Sequence, residues 1–226
     1  TPMAGREGGQ VPIWPLLAGY ALGFLEPLMH ALIESHLILS PENRDFVRTM
    51  EEAAGAEIDG MSVPSMPRAA RDEVLGAIYA GGWCGRPRPE KIDPDVPEPL
   101  MRLIGRKLDD IPWRFYGPGL RKHCLREDEG VTAQLFKVNP GKALPQHTHN
   151  GLEVTLVLRG AYGDGVGAYR RGDVAVADET VDHRPVADPR EGCVCFAVTE
   201  GPVRMTGAVG RLIELVLRRR RVRWAT

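Results

Sequence analysis

Three histidines and a glutamate in the second half of the chain have the types and spacings that bind a metal ion. His147 and His149 flank Thr148, Glu153 follows four residues after His149, and His183 lies thirty residues beyond Glu153. Imidazole nitrogens and a carboxylate oxygen suit Zn, Fe, Mn, Ni or Cu, and leave one or two coordination positions for water or a small ligand. Histidines one residue apart on a strand project from the same face, so their rings can converge on one ion. Asn150 and Gly151 turn the chain. Glu153 sits beside His149 only if the connection counts three residues, Asn150 to Leu152, because a two-residue loop would pair His149 with Leu152 and face the carboxylate away. The opposing reading is two surface histidines near a turn. Half of the chain's six histidines fall into the set, at spacings that strands can use, and this favours the metal reading.

Cys193 and Cys195 form a second group. Two apart on an apolar strand, they face one way and read either as redox-sensing thiols near the ion, where a cation favours thiolate, or as two small core residues. Cys84 and Cys124 receive no role.

The elements that must position these groups fall into two blocks. The composition is globular, with 43% hydrophobic and 26% charged residues. A net charge of -1 argues against nucleic-acid binding over the whole surface. Residues 1 to 12 read as a loose leader. Helical spacing then runs through Leu16, Leu17, Tyr20 and Phe24, and after Pro27 through Leu28, Leu32 and Leu39. Ser40-Pro41-Glu42 reads as the start of a third helix carrying Phe46, Val47 and Met50, and Ser65 and Pro67 as the start of a fourth with Val74, Leu75, Ile78 and Tyr79. The expectation is a small N-terminal helical domain over 1–80. Residues 81–99 hold eight Gly or Pro and read as a linker. Beyond them, period-2 segments at Thr132 to Val138, Leu152 to Leu158, Asp173 to Ala177, Cys193 to Thr199 and Leu212 to Leu217 predict an antiparallel β barrel within 100–226, and an α+β fold overall. Leu16 to Leu25 is too short to span a bilayer, so no membrane segment is expected, and irregular cysteine spacing with no secretory signal points to the cytoplasm. Arg218 to Arg221 and Arg223 read as a charged, solvated strand end rather than a DNA-reading element.

Gly141, His147, His149, Glu153 and Gly160 resemble the first cupin motif at all five positions. The second motif is matched by Gly172 and His183, without the proline two residues before Gly172 or the asparagine after His183. The resemblance implies a jelly-roll barrel over about residues 100 to 217 with the ion inside it. Leu17 to Gly23 followed by His36-Leu37, and Gly192 to Thr199 before Gly201-Pro202 and Thr206-Gly207, resemble the ChrR-type anti-sigma factors over nearly the whole chain. That resemblance implies helices that occlude an extracytoplasmic-function sigma factor, released by an oxidant signal, and a zinc-bound cupin sensor. The family's helical domain carries its own zinc. Here only His36 matches, while Ser40, Asn43 and Val11 stand at the other ligand positions, so the expectation is no metal there, with His36 as a helix-face or partly buried polar residue.

Two functional readings follow. The first is a cytoplasmic transcriptional regulator that binds a sigma factor and senses an oxidant or small-molecule ligand at one divalent ion per chain, zinc first, with Fe, Mn or Ni as alternatives. It is expected to form a homodimer, without membrane or direct nucleic-acid contact. The second is a metal-dependent cupin enzyme such as a small-molecule dioxygenase, against which stands the lack of any separate general acid or base. A metal-stabilised barrel with saturated ligands is the blandest alternative.

Overall fold

A computed structural model describes residues 11–62, 65–81, 93–128 and 130–206. Four helices come first: α1 (Trp14–Ala21), α2 (Pro27–Leu39), α3 (Arg44–Asp59) and α4 (Arg68–Tyr79). Pro15 and Pro27 occupy first-turn positions of α1 and α2, where the missing N–H costs nothing. Gly23, at φ 73°, turns the chain out of α1. Phe24 therefore leaves the apolar face on which helical spacing had put it, and is 81% exposed. The third helix opens at Arg44 rather than Ser40, because residues 40–43 form a bend and turn. α2 is central, with Met29, Ala31, Leu32, Ile33, Ser35, His36 and Leu37 buried. Trp14 packs on Phe46, joining α1 to α3 with ring centroids 5.1 Å apart. α4 differs from the rest in burying no residue.

The span read as a linker holds buried structure where it is described. Residues 82–92 lie outside the described residues, but Asp93, Val96, Pro97, Pro99 and Leu100 are buried, and α5 (Glu98–Ile104) begins inside that span. Pro99 is compatible with this helix because it sits in the first turn, where no helical N–H bond is lost. The Asp93 carboxylate accepts hydrogen bonds from the Asp95 and Leu108 amides. Arg159 donates to Asp95 at 2.7 Å, and Arg171 donates to the Pro94, Asp95 and Leu158 carbonyls. These bonds fasten the segment to the barrel.

The barrel strands are β1 (Arg114–Gly117), β2 (Leu120–Asp128), β3 (Val131–Val138), β4 (His147–His149), β5 (Glu153–Gly163), β6 (Ala168–Arg170), β7 (Val174–Ala177), β8 (Val186–Ala187), β9 (Cys193–Glu200) and β10 (Val203–Met205). The main sheet runs β1-β2-β3-β9-β5-β6, all antiparallel, with β7 and β8 also pairing with β5, while β4 pairs with β10 alone. The expected strand at Leu212 to Leu217 and the arginine run after it lie outside the described residues.

Strand alternation gives the central sheet two jobs. On one face, Leu135, Leu156, Leu158, Val194, Phe196 and Val198 join Leu17, Leu32 and Leu100 of the helices in one apolar cluster. On the other, Phe136, Val138, Val157, Cys193 and Cys195 face the barrel interior. Helices and barrel thus share a core, and the sheet between them is the inner wall of the candidate site.

Candidate metal centre

The four expected ligands meet. His147 and His149 on β4, Glu153 at the start of β5 and His183 before β8 bring donor atoms within 4.8 Å of one another. His147 Nε2 and His183 Nε2 are 3.2 Å apart, His149 Nε2 and His183 Nε2 3.4 Å, and His149 Nε2 and Glu153 Oε1 3.7 Å. All three histidines are buried. The connection 150–152 has the three residues expected, but it is not a hairpin between β4 and β5. β4 pairs with β10, His147 bridges His183, and Glu153 lies between Thr199 of β9 and Ala177 of β7. The connection crosses from one sheet to the other, so the carboxylate approaches from the facing wall. Glycine is required at this crossing: a Cβ on Gly151 would strike the Glu200 carbonyl, and one on Gly201 the Asn150 carbonyl.

Hydrogen bonds on the far side of the rings fix which nitrogens face inward. His147 Nδ1 lies 2.8 Å from the Pro145 carbonyl, which can only accept, so the ring proton is on Nδ1. His183 Nδ1 lies 3.1 Å from Asp164 Oδ2 and donates likewise. Both Nε2 atoms therefore turn lone pairs toward one another. A proton is a poor mediator there: burial, with the neighbouring histidines, lowers the His147 pKa, and burial followed by the nearby His183 lowers that of His149 to about 4. Converging lone pairs beside a carboxylate, in a setting that disfavours protonation, fit a divalent cation.

Three residues that support this set were not singled out from the sequence. Burial alone would raise the Asp164 pKa, but bonds from His183 and from the Gly167 and Val166 amides hold it below the usual carboxylate range. Thr199 Oγ1 donates to Glu153 Oε2 at 3.1 Å, and Thr155 Oγ1 to Oε1 at 3.4 Å. Each holds a member of the cluster from behind, in the position that outer-shell partners take at metal sites. The signal available for the threonines was their alternation with Glu153 on paired strands. Asp164 lay hidden in the glycine-rich turn 160–167.

Cys193 and Cys195 are buried and line the same cavity of about 330 Å³ as His147, Glu153 and His183. A bond to Cys193, burial and the Glu153 charge push the Cys195 thiol well above its ordinary pKa, so it is a thiol at neutral pH. The register separates the thiols from the donors. Glu153 pairs with Thr199, whereas Val157 pairs with Cys195, four residues away or about 13 Å along β9.

His36, the one match to a second zinc site, is fully buried rather than on an open helix face. Its Nδ1 donates to the Gly172 carbonyl at 2.6 Å, and its Nε2 accepts from Asn43 Nδ2 at 2.8 Å. Both ring nitrogens are thus engaged, one by the barrel and one by Asn43.

Comparison with known proteins places these features together. Residues 102–204 match the model of the ChrR cupin-like domain. The anti-sigma-E factor ChrR of Cereibacter sphaeroides is 32% identical over 200 residues, which cover 88% of this chain and 93% of that protein. The crystal structure of Rhodobacter sphaeroides SigE in complex with the anti-sigma ChrR matches at a TM-score of 0.72 and 30% identity, over 86% of this chain and 100% of that one.

Proposed function

The chain belongs to the ChrR family of anti-sigma factors, and from that premise we propose that its helices bind an extracytoplasmic-function sigma factor while its barrel holds one divalent metal ion that biases the bound state. The observation that carries sigma binding is α4. Val74, Leu75, Ile78 and Tyr79 form a stripe on this helix, each at least 40% exposed, and no residue of the helix is buried. An apolar stripe left open on a short helix is a docking surface. The solved complex of a relative with its sigma factor supports sigma binding by this chain. A sigma-factor partner also implies a cytoplasmic protein.

His147, His149, Glu153 and His183 are the metal ligands in this reading, with zinc as the first expectation and Fe, Mn or Ni suited to the same donors. The ion would tie β4, β5 and the segment before β8 together, and a coordination position left open would take a small ligand. Cys193 and Cys195 form part of the wall deeper in the same cavity, where burial keeps Cys195 a protonated, weakly reactive thiol. Coupling runs through β9, where Cys193 and Cys195 face the cavity and Val194, Phe196 and Val198 face the helices. A ligand or oxidant shifts sigma release only so far as it binds the two states differently.

The test is calorimetric titration of the full chain with its sigma factor, beside the double variant Leu75→Glu/Ile78→Glu. The wild type binds at micromolar concentration or tighter, and the variant loses about 30-fold or more with an unchanged melting temperature, as expected for interface anchors. No complex with wild type, or equal binding by the variant, contradicts the assignment.

A further inference from the structure

We propose that the barrel cavity binds a small organic monocarboxylate, its carboxylate held between the His147–His149–Glu153–His183 cluster and the Gln134 amide, its hydrocarbon end against Phe136, Val138, Cys195 and Cys193. This rests on the metal reading above and names the ligand that the site takes.

Along β3, β9 and β5 the cavity wall is graded from polar to apolar, while β2 adds Glu127 beside Thr132 and Lys122 beside Phe136, the latter held over the Tyr116 ring. The inward-facing residues of β3, β9 and β5 lie in rows set by the register. The first row is Thr132, Thr199 and Glu153, and the second is Gln134, Ala197 and Thr155. The third is Phe136, Cys195 and Val157, and the fourth is Val138, Cys193 and Gly160. The metal ligands stand at the first row, and Leu144 and Ala187 close the apolar end. A cavity of about 330 Å³ lies within the range of small-molecule pockets. It reaches the surface beside Cys124 and Val203, which are exposed.

Gln134 supplies the second observation. It is 8% exposed and lines the cavity. Its side chain makes no hydrogen bond among the described residues, and its partners in the ladder, Cys124 and Ala197, offer little or nothing to its amide. An amide that the neighbouring strands leave unpaired but that stays open to the cavity finds its partner in water or a ligand. Tyr162, two residues past Gly160 of the fourth row and paired with Ala187, also lines the cavity at its far end. A free amide facing the cavity one row beyond an ion site, with apolar residues of β3 and β9 behind it, suits a molecule with one polar end and a short hydrocarbon body.

Charge selects the polar end. A divalent ion held by neutral imidazoles and one carboxylate keeps a positive charge within its own ligand set. Asp164 stands behind His183 and is already engaged by that ring and two backbone amides. An anionic oxygen donor satisfies the ion better than an alcohol, and its second oxygen can accept from the Gln134 amide.

The experiment measures binding of octanoate, its shorter homologues butanoate and hexanoate, and 1-octanol to the metal-loaded full chain by calorimetry, with metal content determined on the same sample. Octanoate is expected to bind at least about tenfold tighter than 1-octanol, affinity to rise with chain length, and Gln134→Leu to lose about tenfold for every carboxylate. Val138→Phe fills the fourth row, and should shift the preferred chain toward hexanoate while leaving the metal in place. This shift does not depend on how Gln134→Leu folds. A metal-loaded chain that ignores carboxylates, binds the alcohol equally well, or keeps its chain-length preference in Val138→Phe overturns the proposal alone. A chain that takes up no metal overturns the metal reading and this proposal with it.

Discussion

Asp164 sets which nitrogen His183 turns toward the candidate metal site. Its carboxylate accepts from Nδ1, which leaves the Nε2 lone pair for the cluster, and its remaining capacity anchors the turn through the Val166 and Gly167 amides. In Asp164→Asn the side-chain oxygen can still hold the turn, but the amide N–H would confront the ring N–H and favour the wrong tautomer. The variant should bind metal about 10- to 100-fold more weakly, with little change in secondary structure, measured by competition with a chromophoric chelator. Unchanged affinity would mean that Asp164 supports only the turn. At this scale the candidate cluster was legible because strand geometry constrains a His-x-His pair and its glutamate. Asp164 was not: it lies nineteen residues before His183, and only the folded turn brings them together.

At the scale of elements, α2 is the joint between helices and barrel, and His36 is its polar contact. The imidazole donates to Gly172 of the barrel and accepts from Asn43 before α3, while Gly172 itself packs close to Leu39. Burial lowers the His36 pKa, although the Gly172 carbonyl and the Asp173 charge oppose it. The folded state therefore favours the neutral ring. Its contribution is complete above the ordinary value of 6.5, and is lost as pH falls through that value, because the unfolded chain takes up the proton first. His36→Phe should destabilise the chain by about 1–3 kcal/mol at roughly pH 8, with the gap to wild type narrowing by about pH 5. Thermal unfolding at both pH values checks this, and a gap independent of pH would contradict the assignment. Among the strands, β3, β5, β7 and β9 were visible as apolar or alternating runs. β2 was not, since Leu-Arg-Lys-His-Cys-Leu-Arg-Glu-Asp near the sheet edge carries charge on both faces and a register shift between Cys124 and Arg126. β4 was readable as a short strand, but not its partner, because β10 is far away in sequence and pairs only where the 150–152 crossing meets the Gly201 turn.

At the scale of the whole molecule, the division into helices, a breaker-rich stretch and a barrel could be read from composition, but the shared core could not. Apolar residues on β9 do not announce that Phe196 meets helices while Cys195 meets a cavity; only the sheet's position between the two does so. Proline and glycine counts likewise disguised Asp93 to Pro99 as a linker, although a buried bond from the Leu108 amide and an exposed one from Arg171 hold that segment. A regulator built this way needs an ion on one side of the sheet to be felt on the other, so the ion is the claim to test. Elemental analysis of the purified full chain, with His147→Ala/His183→Ala alongside, is the most direct measurement. The account predicts about one equivalent of a divalent transition metal per wild-type chain and almost none in the variant, which keeps only two of four donors. Wild type without stoichiometric metal, or a variant that retains its full equivalent, would contradict it.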